Sequence, residues 1–86
     1  MKEFTAPTPV AVTTIGDLKI STVHLGSFHT GLPYETGEFA TESGEGKIIA
    51  RWATVEEALK NHAWLVQHEI KHILARDQFI NDNLIN

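Results

Sequence analysis

Hydrophobic and β-branched positions divide the chain into a strand-rich first half and a helical second half. Residues 10–25 are rich in valine, isoleucine and threonine and are interrupted by Gly16-Asp17, which predicts two strands joined by a hairpin turn. A third strand is predicted over Tyr34–Ala40 and a fourth over 47–53. The fourth strand would place three apolar side chains on one face: Ile48, Ala50 and Trp52.

A long helix is predicted to begin at Thr54. Thr54 and Glu57 have the spacing of a capping box, in which the threonine hydroxyl accepts from the Glu57 amide and the Glu57 carboxylate accepts from the Thr54 amide. Apolar positions then recur every three or four residues and form a stripe that should pack on the sheet: Val55, Leu59, His62, Val66, Ile70 and Ile73. The predicted fold class is therefore α+β, an antiparallel β-meander of three to four strands with one long C-terminal α-helix packed across it.

The pattern predicts a single small domain over residues 1–86. We expect an extended arm over 1–9, the sheet over 10–53, the helix over 54–77 and a tail over 78–86. A chain of 86 residues can bury only a thin core. We therefore expect it to form a homo-oligomer.

Composition excludes several classes of function. A formal charge of −4 and only seven lysines and arginines, with no basic run, argue against binding to nucleic acid or to an anionic membrane. The chain contains no cysteine, which excludes disulfides, zinc fingers and thiol nucleophiles. No apolar stretch approaches the length of a membrane span, and the first residues lack the apolar segment of a signal peptide. We expect a cytoplasmic protein.

The run from His68 to His72 reads His-Glu-Ile-Lys-His, the spacing by which a zinc hydrolase offers two imidazoles to a metal. In such an enzyme His68 and His72 would be ligands, and Glu69 would take a proton from the zinc-bound water. The segment around this motif also resembles the metal helix of peptide deformylases, but the cysteine ligand of those enzymes cannot exist here.

The motif lacks an evident third protein ligand. Gln78 occupies the position six residues beyond His72, and no glutamate follows Glu69. The remaining candidates are Asp77, Asp82, His24, His29 or a residue from another copy. Helical spacing also directs His68 and His72 away from the stripe that should face the sheet. Solvated histidines on a polar face are therefore the favoured interpretation, with zinc as the alternative cofactor.

A broader resemblance covers residues 20–62. The segments Ile20-Ser21-Thr22-Val23-His24-Leu25-Gly26, Tyr34-Glu35-Thr36 and Arg51-Trp52-Ala53-Thr54-Val55-Glu56-Glu57-Ala58, followed by His62, resemble small uncharacterised proteins of bacteriophages and prophages. Those relatives carry an S-T-V-x-L-G strand, a Y-E-T strand and an R-Y-x-T-x-E-E-A helix entry. The resemblance implies a phage origin, and hence a location in the host cell, but it implies no activity.

Two surfaces are candidates for function. Four polar residues could converge where a loop and the third strand meet the helix, as a ligand site or as a structural polar cluster: His29, Glu35, Thr36 and His62. The helix side opposite the core would form a partner interface: Trp64, Leu65, His68 and Lys71.

The sequence favours a phage accessory protein that binds and inhibits or redirects a host component, such as one of a defence system, rather than an enzyme. Four glutamates around the third strand and the following turn form an acidic edge that could contribute to binding: Glu35, Glu38, Glu42 and Glu45. One alternative is a compact zinc-dependent hydrolase. A second is the sequestration of a small polar ligand in a pocket near His29, Glu35 and His62, which would lie between subunits.

Overall fold

A computed structural model describes residues 7–26 and 31–84, with side chains as far as Gln78. It contains, in order, β1 Thr8–Ile15, β2 Leu18–His24, β3 Tyr34–Ala40, β4 Gly46–Trp52 and α1 Val55–Leu84. The strands form one antiparallel sheet in the order β1-β2-β3-β4, and α1 contacts all four strands. The predicted α+β class and the meander are confirmed.

The β1–β2 turn forms as the sequence predicts. Ile15 pairs with Leu18, which leaves Gly16 and Asp17 as the two turn residues. Gly16 has a φ of 58°, the left-handed value that the first turn residue of a type II′ hairpin needs. β1 begins at Thr8, so the sheet includes the end of the predicted arm.

The fourth strand contains a bulge that the alternating pattern did not predict. Thr36 pairs with Ala50, whereas Gly37 pairs with Ile48, so Ile49 is an extra residue on β4. Because paired residues share a face, Ile48 and Ala50 lie on opposite faces of the sheet. The prediction that they share one face is wrong, since a single inserted residue reverses the alternation.

The helix begins with a modified capping box. The Glu57 amide donates to the Thr54 hydroxyl at 3.1 Å, as predicted. The Glu57 carboxylate accepts from the Ala53 amide at 3.0 Å, one residue before the predicted donor. The helix continues to Leu84, well past the predicted end at Asp77, because residues 78–84 contain neither glycine nor proline to stop it.

The helix face that covers the sheet is rotated relative to the predicted stripe. Ala58 and His62 are buried, but Leu59 and Ile70, which the stripe included, are exposed. The small side chain of Ala58 allows the helix to lie close to the sheet, and this displaces the larger Leu59 sideways. Ile20 and Ala58 are the only fully buried hydrophobic residues in the described part of the chain. The core is thin, as the chain length predicts.

Candidate functional site

A chain of side-chain hydrogen bonds crosses the centre of the helix–sheet interface. The Nε2 atom of His62 lies 2.9 Å from the Thr13 hydroxyl, and Nδ1 lies 2.8 Å from the Thr22 hydroxyl. The Thr22 and Thr36 hydroxyls are 2.6 Å apart, and the Trp52 indole donates to Thr36 at 3.0 Å. Side chains alone thereby connect all four strands with the first half of the helix.

The indole fixes one of these directions, because an indole N–H can only donate and Thr36 must accept from it. One order that satisfies the rest has Thr36 donating to Thr22, Thr22 donating to Nδ1 of His62, and the Nε2–H of His62 donating to Thr13. This order uses the hydroxyl hydrogens of Thr22 and Thr36 once each. It requires a neutral His62 with its proton on Nε2.

Burial favours the same neutral form. Thr22 and Thr36 are fully buried and His62 is nearly so, and desolvation lowers the pKa of His62 below its ordinary value. Among the described residues, no buried side-chain nitrogen or oxygen lacks a hydrogen-bond partner. The centre of the network is closed to solvent and its polar atoms are paired, so its chemistry is that of a structural core.

The four residues predicted to converge do so only in part. Thr36 and His62 are joined through Thr22. Glu35 does not join them, because it precedes Thr36 on the strand and therefore points to the opposite face, where its carboxylate accepts from Arg51 at 3.1 Å. His29 lies outside the described residues. The prediction that Glu35 meets His62 is wrong.

The predicted partner interface contains an exposed aromatic pair. Trp64 is 60% exposed, and its ring stacks on that of His68 with centroids 5.0 Å apart and planes within 9°. Lys71 is exposed one turn further along α1. Leu65 is half-buried, because its helical position is close to that of His62 and so faces the sheet. The exposed surface is therefore Trp64, His68 and Lys71 without Leu65.

A groove of about 620 Å³ lies between the helix and the end of the sheet where the β1–β2 and β3–β4 turns meet. Its half-buried lining combines carboxylates with apolar side chains: Glu38, Glu69, Ile15, Leu18, Ala40 and Ile73. Its exposed lining carries both signs of charge: Asp17, Glu45, Lys47, His72 and Arg76. The sequence did not predict this groove. Its lining comes from four strands and from α1, and the predicted apolar stripe gave the wrong rotation for that helix. Three members of the predicted acidic edge are separated: Glu38 and Glu45 line the groove, whereas Glu35 does not.

The His-Glu-Ile-Lys-His motif is helical, but its side chains lie in different environments. His68 stacks on Trp64, while Glu69 and His72 line the groove. Within residues 7–26 and 31–78, whose side chains the structure describes, no group of three histidine, aspartate or glutamate side chains is arranged to hold a metal ion. A catalytic zinc needs three protein ligands and an open position. The described side chains do not supply such a set, and two of the candidate third ligands, His29 and Asp82, lie outside them.

Comparison with protein-family models, curated proteins and solved structures yields no match for this chain. In the part of the chain that the structure describes, the helix is not apolar enough along its length to cross a membrane.

Proposed function

We propose that this chain is a phage accessory protein that binds a host component and inhibits or redirects it. The observation that carries the proposal is the exposed Trp64–His68 stack. A large apolar ring on the surface is costly in water unless a partner covers it, and tryptophan is enriched among residues that dominate binding energy. The pattern shared with small phage proteins over residues 20–62 supports a phage origin.

The stack also has a geometry suited to recognition. Contact with His68 holds the indole against the helix, so little conformational freedom remains to be lost on binding. The cationic side chain of Lys71 lies on the same side of the helix. A partner surface with an apolar cleft for the indole and a carboxylate for Lys71 would match this surface.

Affinity capture from host cells tests the proposal with a matched pair of variants. We expect a host protein to be retained by tagged wild type and by Asp77→Ala, an exposed residue more than three turns further along the same helix, but lost by Trp64→Ala. Circular dichroism checks that both variants fold. Equal retention by Trp64→Ala would contradict a role for the stack in binding.

The groove favours a second candidate function, the sequestration of a small polar ligand. Its volume of about 620 Å³ is within the range of small-molecule sites, and Glu38 and Glu69 are half-buried acceptors next to apolar walls. Lys47 and Arg76 place cations at the exposed edge. A ligand that carries hydrogen-bond donors at one end and an anionic group at the other would satisfy both sets.

Mass spectrometry of material released by denaturation tests sequestration. Protein purified from infected cells should release a small molecule, and Glu69→Gln should release much less of it. Glu56→Gln removes a carboxylate of the same helix outside the groove and should release as much as wild type. Release of nothing from wild type would exclude sequestration under those conditions and leave the protein-binding proposal intact.

A further inference from the structure

An aliphatic stripe on α1 is left uncovered beside the face that packs on the sheet. It consists of Leu59, Ala63, Val66, Ile70 and Leu74, at spacings of four, three, four and four residues. Leu59 is 45% exposed, Ile70 37% and Leu74 63%. Spacings of three and four keep these side chains on one side of the helix.

The chain exposes more surface than a compact monomer of its mass, enough to supply an interface with a second copy. The accessible surface is 6259 Å², whereas a folded monomer of 9.6 kDa exposes about 5,100 Å². The excess of roughly 1,200 Å² exceeds the roughly 800 Å² that each partner buries in an interface of standard size. The elongated shape, 63 × 26 × 17 Å, has the same origin, because a helix of 30 residues is about 45 Å long and extends beyond its own sheet.

We propose that the stripe pairs with the same stripe of a second copy of this chain, with the two helices antiparallel and the two-fold axis near Val66. The spacing then places Leu59 opposite the partner's Leu74, and Ala63 opposite the partner's Ile70. Each small side chain faces a large one, which fills the interface evenly. A parallel pair would instead place Ala63 against its own copy and leave a gap there.

The dimer surface is distinct from the surface proposed for a host partner. Trp64 lies roughly 120° around the helix from the centre of the stripe. Both surfaces can therefore be occupied at once, and a dimer would present two Trp64–His68 stacks to its targets. The inference does not depend on the identity of any host partner.

Molar mass in solution tests the pairing with two adjacent substitutions. Leu74→Glu introduces a charge into the stripe, while Ala75→Glu introduces the same charge at an exposed position on the other side of the helix. Light scattering after size exclusion should give twice 9.6 kDa for wild type and for Ala75→Glu. Leu74→Glu should raise the dissociation constant at least about tenfold, because the carboxylate would be buried opposite Leu59.

Several outcomes of that measurement would overturn the proposal. One is a wild type that is monomeric at about 100 µM, a concentration well above the dissociation constant expected of a standard interface. Another is an unchanged dissociation constant in Leu74→Glu. Loss of the dimer in Val12→Glu but not in Leu74→Glu would assign the contact to the open face of the sheet instead. Circular dichroism establishes that each variant retains its helix.

Engineered thiols test the antiparallel register independently, because the chain has no cysteine of its own. Under mild oxidation, Val66→Cys should form a disulfide-linked dimer, since the two copies of residue 66 meet at the axis. Leu59→Cys alone should not, but a mixture of Leu59→Cys and Leu74→Cys should form a linked heterodimer. Efficient linkage of Leu59→Cys to itself would show a parallel pair and overturn the proposed arrangement.

Discussion

The two faces of the sheet differ in a way that reverses the usual distribution of polar groups. The covered face has threonine hydroxyls and His62 at its centre, with Thr22 and Thr36 fully buried. The open face carries aliphatic side chains next to solvent, and Val12 is 52% exposed and Ile48 51%. On the same strand, a polar residue is therefore covered by the helix while an apolar residue next to it is exposed.

This difference shows what positions the helix. Hydrophobic contact is non-directional. Among the residues that the structure describes, only Ile20 and Ala58 are apolar and fully buried, so such contact alone would leave the helix free to rotate or slide. Hydrogen bonds from His62 to Thr13 and Thr22 are directional and are satisfied in one position. We infer that the hydrogen bonds at the centre of the covered face determine the position of the helix, whereas the open face tolerates many residue types.

The largest expected effect is at the centre of the covered face. Thr22→Val keeps the shape of the side chain but removes the hydroxyl that joins Thr36 to His62. The partners on both sides would be buried without a hydrogen bond, so we expect a loss of about 3 kcal/mol in the free energy of unfolding, measured with urea at fixed protein concentration. Thr14→Val makes the same chemical change at an exposed position and should alter stability by less than about 0.5 kcal/mol. Similar losses in the two variants would mean that the two faces do not differ in this respect.

A close-packed part of the open face should give the next largest effect. The ring of Phe39 lies across Gly37, where an added Cβ atom would come within 2.7 Å of two ring carbons. Gly37→Ala should therefore displace the ring and lower the free energy of unfolding by about 2 kcal/mol, again measured with urea. In a Phe39→Leu background the same substitution should cost less, and an equal cost in both backgrounds would show that the ring is not the obstacle.

The fold was largely predictable from local patterns, because its elements obey local rules. β-branched runs, the Gly16-Asp17 turn and the cap at Thr54 each depend on a few neighbouring residues. The bulge at Ile49 and the rotation of α1 were not predictable in this way. Both are set by how separate segments fit together, since the bulge requires β3 as a partner and the rotation follows from the contact of Ala58 with the sheet.

The same limit applies to the candidate site. Helical spacing correctly directed Trp64 and His68 to solvent, because that property depends on one element. It correctly placed His62 in the core, but its partners Thr13 and Thr22 come from strands that no sequence pattern links to the helix. Glu35 was misplaced because the residues on either side of it, not Glu35 itself, face the helix. Strand alternation, counted from Thr36, could have revealed this.

The pH dependence of the free energy of unfolding should reveal the buried histidine on the covered face. Burial lowers the pKa of His62 below its ordinary value near 6.5, so the unfolded chain binds a proton more readily than the folded one. Above pH 6.5 the histidine is neutral in both the folded and the unfolded chain, so the free energy of unfolding does not depend on its titration. Stability is lost as the pH falls from about 6.5 through the lowered pKa. Protonation would also give Nδ1 a hydrogen and reverse the donor order at Thr22. Urea unfolding between about pH 5 and 7.5 should show this decline in wild type, and His62→Gln should be less stable but flatter over that range. Parallel curves would assign the decline to other groups.

The smallest effect is expected for the ion pair on the open face. Arg51 donates to Glu35 at 3.1 Å, but the arginine side chain is 52% exposed and the pair competes with water and salt. Arg51→Gln should lower the free energy of unfolding by no more than about 0.5 kcal/mol, and the difference should shrink further in about 1 M salt because screening removes most of the attraction. Chemical unfolding at low and high salt measures both values, with Lys60→Gln as a control for loss of an exposed cation that has no ion pair within the described residues. A loss comparable to that of Thr22→Val would show that the open face also carries a specifying interaction, and the contrast between the two faces would then not hold.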